Sequence, residues 1–113
     1  MGNLLVSGFN ILVAKAECPN CRRNVELRVQ FKYGDTRQYD YMPGQLLLWG
    51  GNDVGEPGHR LVVVDGAGEP CPACSSAADF EVWVEDDHVI RLKPASGDYD
   101  FVGRSKAFLV VKP

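Results

Sequence analysis

All four cysteines of this 113-residue chain stand in two Cys-Pro-x-Cys motifs, Cys18 to Cys21 and Cys71 to Cys74, with residues 22–70 between them. A tight turn brings both sulfurs of such a pair to one side of the backbone, and proline after the first cysteine favours that turn. Two such pairs supply the four thiolates that Zn²⁺ prefers in a closed, structural site. The sequence therefore predicts one structural zinc ion bound by Cys18, Cys21, Cys71 and Cys74.

Two other chemistries of the cysteines compete with zinc. Disulfides belong to oxidising compartments, and the apolar N-terminal stretch has no preceding Lys or Arg, which a secretion signal would carry. A redox dithiol of the thioredoxin kind needs its pair at the start of a helix, whereas Cys21 leads into the strand-like residues 25–33. That chemistry would also use only one of the two pairs. Zinc uses both, and a thiol redox or metal sensor remains an alternative function.

The two motifs resemble the knuckles of a zinc ribbon, in which two Cys-x-x-Cys turns at the tips of β-hairpins hold one zinc ion. The resemblance implies a structural metal and strands on either side of each knuckle. Arg22 and Ser75 stand where the familiar Cys-Pro-x-Cys-Gly form has glycine. Residues 22–70 also exceed the ~15–20 residues of the compact spacing. Whole strands are therefore expected between the knuckles.

Alternation of apolar and polar side chains is the dominant period of the chain. Residues 25–33 alternate without interruption, which is typical of a half-buried strand with one wet face. Residues 50–58 hold four glycines and a proline and are predicted to be an irregular loop. Further strands are predicted within residues 4–16 and at residues 38–42, 45–49, 61–64, 80–85, 88–93, 99–102 and 107–112.

The short strands and glycine-rich turns indicate an all-β fold. The strand closing at Asp65-Gly66 is predicted to be central, and residues 80–93 are predicted to form a hairpin about Asp86-Asp87. We expect one mainly antiparallel domain over residues 1–113, with about seven or eight short strands in a sandwich or partly open barrel. In this fold, two zinc knuckles would clasp strand ends around one structural zinc.

The charge pattern bears on nucleic-acid binding. The net charge is −3, and the acidic surplus lies in residues 51–113. Nucleic-acid-binding domains usually carry a basic surplus, because they neutralise phosphates. A cluster of basic side chains stands near the first knuckle, so a nucleic-acid-binding zinc ribbon is the alternative function. It would use Arg22, Arg23, Arg28 and Lys32.

Catalytic patterns are missing from the sequence. His59 and His88 are the two histidines, and neither belongs to a metalloprotease motif or accompanies a serine nucleophile elbow. No segment reaches the ~18–20 apolar residues of a membrane-spanning helix. We therefore expect a small cytoplasmic protein that is not an enzyme and that binds another protein through a surface shaped by its zinc.

Overall fold

Ten β-strands and no helix occur in residues 8–103 and 106–113, the part of the chain that the computed structural model describes. The all-β, mainly antiparallel class expected from the sequence is confirmed. In chain order the strands are β1 Asn10–Glu17, β2 Asn24–Phe31, β3 Gly34–Asp35, β4 Asp40–Tyr41, β5 Gln45–Leu46, β6 Asp53–Val54, β7 Leu61–Gly68, β8 Asp79–Glu85, β9 His88–Pro94 and β10 Phe108–Lys112.

Eight of these strands form one sheet in the order β4-β1-β2-β7-β8-β9-β5, with β10 also paired to β7, while β3 and β6 form a separate pair. Strand β7 is central because β8 covers one of its edges and two strands share the other. On that shared edge, β10 pairs with the first half of β7 and β2 with its last three residues. The sheet curves until β1 lies within 8 Å of β9 between Cα atoms, but it does not close into a barrel.

The alternating residues of β2 show how the core forms. Leu27, Val29 and Phe31 are buried on one face, whereas Glu26 on the other face is exposed. Burying a side chain of this size contributes roughly 1.5–3 kcal/mol, so one face of the curved sheet provides most of the stabilisation. The buried cluster also contains Leu12, Tyr33, Tyr41, Leu47, Val62, Val64, Phe80, Val82, Val84, Val89, Cys18 and Cys71.

The central strand is longer than the sequence predicts. The sequence predicts that the strand ends at Asp65-Gly66, yet β7 continues through this pair to Gly68. Gly66 pairs with Phe31 on one side and Phe80 on the other, so ladder hydrogen bonds on both edges override the local turn signal. A Cβ at Gly66 would lie 2.8 Å from Val29 Cγ1, which explains why this strand position carries glycine.

The glycine-rich residues 50–58 are also more regular than predicted, because β6 lies inside them and pairs with β3. Hydrogen bonds anchor this segment: Thr36 N donates to Asn52 O over 3.0 Å, and Tyr33 Oη donates to Glu56 O over 3.1 Å. Bonds to residues outside the segment therefore organise a stretch whose composition indicates only a loop.

Two further strand predictions need correction. Residues 99–102 form bends and turns rather than a strand, because no strand of the described residues pairs with them. Residues 45–49 contain only the two-residue β5, which is exposed, and Leu47 alone is fully buried there. The strand predicted within residues 4–16 is observed as β1, and residues 4–7 lie outside the described residues.

Residues 8–103 and 106–113 include no helix with the length and apolarity to cross a bilayer.

Candidate metal centre

The first knuckle is the link between β1 and β2. Glu17, the last residue of β1, pairs with Asn24, the first residue of β2, and the chain reverses between them. Arg22 N donates to Cys18 O over 2.9 Å, and Cys18 N donates to Arg23 O over 2.9 Å. These two backbone bonds close a compact turn and hold Cys18 and Cys21 on the same side.

The second knuckle repeats that bonding between β7 and β8. Ser75 N donates to Cys71 O over 2.8 Å, and Cys71 N donates to Ser76 O over 2.9 Å. Ala73 N also points at Cys71 Sγ over 3.4 Å. The sequence analysis did not predict this N–H···S bond. The motif itself could have indicated it, because Ala73 is the x residue of Cys-Pro-x-Cys and its N–H faces the first sulfur.

The residue after the second cysteine has a left-handed backbone in both knuckles, although neither residue is glycine. Arg22 and Ser75 each adopt a φ of 64°, the left-handed region that glycine enters at least cost. The position after the second cysteine therefore needs this conformation whichever residue occupies it.

The sheet order brings the two knuckles together. The first knuckle ends the β1–β2 hairpin, the second ends the β7–β8 hairpin, and β2 pairs with β7. Beyond that pairing, Glu69 N donates to Arg28 O over 2.8 Å, which carries the contact between the hairpins toward their tips. The two tips consequently meet at one end of the sheet.

The four sulfurs lie at distances that suit a tetrahedral ion. Cys18 Sγ is 3.8 Å from Cys74 Sγ, and Cys21 Sγ is 3.9 Å from Cys71 Sγ. All four sulfurs lie within 4.8 Å of one another. A tetrahedral ion with metal–sulfur bonds of about 2.3 Å requires sulfurs about 3.8 Å apart. The donor set therefore fits a zinc ion, and all four cysteines are free rather than disulfide-bonded.

Burial divides the ligands into two classes. Cys18 and Cys71, the first cysteine of each motif, are 2% and 3% exposed. Cys21 and Cys74, the second of each motif, are half-buried. An ion held by these four atoms would have protein sulfur at every tetrahedral position, which is the arrangement of structural rather than catalytic zinc.

The electrostatics of the cluster also favour a cation. The backbone N–H groups of Cys21 and Asn20 bond to the Cys18 thiolate and lower the pKa of that thiol to about 7. The Ser76 N–H favours the Cys74 thiolate in the same way, but burial and the three neighbouring thiols outweigh it and raise the pKa of Cys74 to about 11. Four thiolates this close repel one another, and a divalent cation removes that penalty.

The four basic residues near the first knuckle are spread along the chain. Arg22 and Arg23 lie in the knuckle, whereas Lys32 follows the far end of β2, about 30 Å along an extended chain. Arg22 lies 3.9 Å from Glu17, and Arg28 lies between Asp40 at 3.5 Å and Glu69 at 3.2 Å. At least two of these charges are thus accompanied by carboxylates.

Neither histidine joins the cysteines. His59 Nε2 lies 3.4 Å from a Glu56 carboxylate oxygen, and His88 Nδ1 lies 2.8 Å from Asp86 O. Across residues 8–103 and 106–113, the four cysteines are the one group of three or more His, Cys, Asp or Glu side chains that could hold a metal ion.

Comparison with known proteins adds no evidence about the four-cysteine cluster. No family model, curated protein or solved structure matches the chain. The likeness to a zinc ribbon is confined to the two knuckles, and the metal centre is inferred from the positions and chemistry of its four sulfurs.

Proposed function

We propose that the protein is a non-enzymatic binding module whose shape is fixed by one zinc ion on Cys18, Cys21, Cys71 and Cys74. The observation that carries this proposal is the near-tetrahedral spacing of the four sulfurs at the meeting point of two hairpins. Four thiolate ligands leave zinc no open position for a substrate or water. The ion would therefore act on the fold, and function would belong to the surface around it.

Exposed apolar side chains support a protein partner. Met42, Leu46 and Leu48 are 62%, 57% and 50% exposed, and they lie within one short stretch at the β5 edge of the sheet. Grouped apolar exposure of this kind is typical of interaction sites. The acidic surplus of residues 51–113 and the carboxylates beside Arg22 and Arg28 favour a protein partner over nucleic acid.

The structural role of zinc predicts the behaviour of cysteine variants. Cys21→Ser and Cys74→Ser are expected to give metal-free, poorly folded protein, because ligand binding and folding are coupled in small zinc domains. Circular dichroism and zinc analysis of the purified variants measure this. Ser76→Ala, an exposed change in the second knuckle that leaves its backbone bonds in place, is the control and should keep both zinc and fold. A fully folded protein with all four cysteines replaced would contradict the proposal.

The binding role predicts recovery of a partner. Zinc-loaded protein used as bait in native extract is expected to retain another protein specifically. Co-purification of a small metabolite with no protein would contradict a protein-binding role. Retention on nucleic acid that weakens steeply with salt would favour the zinc-ribbon alternative instead, and zinc loss under mild peroxide would favour a redox or metal sensor.

A further inference from the structure

Strand β10 has one edge that no other strand covers in the described part of the chain. Asp65 N donates to Ala107 O over 2.8 Å, so these opposed residues form a hydrogen-bonded pair. Hydrogen-bonded and non-hydrogen-bonded pairs alternate along an antiparallel ladder. Phe108 and Val110 therefore direct their backbone N–H and C=O groups away from β7, toward the outer edge. Such an edge can accept an added strand.

A groove runs beside this edge. It is a cavity of about 470 Å³ between β10 and residues 98–100. Val110 and Val111 are 40% and 38% exposed along it, so the groove offers apolar contacts as well as backbone groups. Asp98 and Asp100 lie on its opposite wall together with Tyr99, and Lys106 also borders it.

A second, strongly acidic cavity adjoins the groove. It has a volume of about 270 Å³ and shares Tyr99 and Asp100 with the first cavity. Asp65, Asp79 and Asp100 line it together with the buried Glu81, and no basic side chain does among the residues described. The Glu81 carboxylate already accepts hydrogen bonds from Trp83 and Ser96, so the three aspartates supply the negative charge available to a ligand. None of the three aspartates takes part in an ion pair with another described residue. The two cavities form one acidic surface on the two sides of the Tyr99–Asp100 segment.

The aromatic side chains beside this surface are well placed for cations. Tyr99 is held edge-on against Trp83 at 5.7 Å between ring centroids and lies 6.4 Å from Phe101. Lys93 Nζ lies 5.3 Å from the Trp83 ring centroid, so this cluster already accommodates one ammonium group of the protein. Burial and the charge of Asp79 raise the pKa of Asp65, as expected where carboxylates lie close together.

We propose that the outer edge of β10 binds an extended basic segment of a partner protein, which pairs with Phe108 and Val110 and places Lys or Arg side chains against the acidic surface. This inference rests on the proposed function as a binding module and names its surface and the chemistry of its partner. The strand edge would supply affinity that is independent of sequence, and the carboxylates would select a basic segment.

Three labelled peptides test the inference by fluorescence anisotropy with the zinc-loaded protein. The first alternates arginine and valine, the second alternates glutamate and valine, and the third is the arginine peptide with alternate backbone nitrogens methylated. We expect the arginine peptide to bind at least about tenfold more tightly than the other two, because the second has the wrong charge and the third cannot extend a ladder.

Variants of the protein locate the binding site. Val110→Pro removes an outward N–H but no bond to β7, as proline is tolerated on such edges. The double variant Asp98→Asn, Asp100→Asn keeps the acceptor that Gly103 N uses on Asp100 and removes two charges. Each should weaken binding of the arginine peptide at least about fivefold. Glu26→Gln, a charge removal on β2, should leave the affinity unchanged.

The inference is overturned if the arginine and glutamate peptides bind alike, or if neither variant weakens binding. It is also overturned if ultracentrifugation shows that a second copy of the chain occupies this edge in a dimer that Val110→Pro dissociates. If a partner recovered from extract binds both variants as well as wild type, the binding-module function stands and this surface is wrong. If no partner is found at all, the proposed function itself fails.

Discussion

At the residue scale, the cysteine motifs carry most of what could be predicted. Local spacing and side-chain chemistry identify Cys18, Cys21, Cys71 and Cys74 as one ligand set, and the structure brings their sulfurs within 4.8 Å of one another. The backbone conformation of Arg22 and Ser75, which stand where the familiar motif has glycine, was harder to predict. Both residues adopt the left-handed backbone that glycine would have supplied, because the turn's hydrogen bonds require it.

This strain predicts the effect of restoring glycine. Arg22→Gly and Ser75→Gly should each raise the free energy of unfolding of the zinc-loaded protein by up to about 1 kcal/mol. The left-handed conformation costs other residues roughly 1–2 kcal/mol, and the greater unfolded-state entropy of glycine offsets about 0.5–1 kcal/mol of the gain. The exposed ion pair of Arg22 with Glu17 adds little.

Arg23→Gly is the matched control for these variants. Arg23 is the next residue of the same knuckle, and its φ is negative, so glycine there should lower the free energy of unfolding by about 0.5–1 kcal/mol. Urea unfolding of all three variants at saturating zinc measures the difference. If Arg22→Gly and Arg23→Gly destabilised the protein equally, the account of backbone strain would be wrong.

At the element scale, strands with strong local signals were predictable and those decided by pairing were not. The alternation of residues 25–33 and the hairpin about Asp86-Asp87 are both observed. The extension of β7 past Asp65-Gly66 and the strand β6 within residues 50–58 were missed. Both depend on partners distant in sequence: β2 and β8 for the first, and β3 for the second.

The turn of the β8–β9 hairpin gives a prediction at this scale. Asp86 and Asp87 have φ values of 49° and 64°, so both central residues are left-handed, as in a type I′ turn, where asparagine is favoured at the first position. Asp86→Asn should raise the free energy of unfolding slightly, by up to about 0.5 kcal/mol, the usual range of surface substitutions. Asp87 is left unchanged because its carboxylate accepts from Gly58 N.

Glu85→Gln separates conformation from charge in this turn. It removes one negative charge from the same acidic group but stands at the end of β8 with no positive φ. We expect Asp86→Asn to exceed Glu85→Gln in thermal or urea unfolding. Equal effects would attribute the gain to reduced charge repulsion and contradict the turn-based explanation.

At the scale of the whole molecule, strand order was beyond the reach of the sequence. Pairing between β2 and β7 joins residues more than thirty positions apart, and local periodicity contains no information on such contacts. That pairing is nevertheless what brings the four cysteines of the two knuckles together. It includes only three residue pairs, Val29 to Gly68, Gln30 to Ala67 and Phe31 to Gly66.

Because the ladder between the two hairpins is short, a metal ion bound by the four cysteines would contribute strongly to holding the hairpins together. Beyond that ladder and the contacts of Arg28 with Glu69, the four cysteines connect β1–β2 with β7–β8 at the hairpin tips. A zinc ion there would join two elements that otherwise share few backbone bonds, and it would do so at the end of the core that includes Cys18 and Cys71. Removing the ion should therefore increase the motion of the two hairpins relative to each other before it unfolds either hairpin.

X-ray absorption at the zinc edge, combined with elemental analysis of the purified protein, tests this account most directly. We expect one zinc ion per chain, surrounded by four sulfur atoms at about 2.3 Å and by no nitrogen or oxygen ligand. A folded protein that contains no stoichiometric zinc, or a zinc ion with an oxygen or nitrogen ligand, would contradict the structural four-cysteine centre.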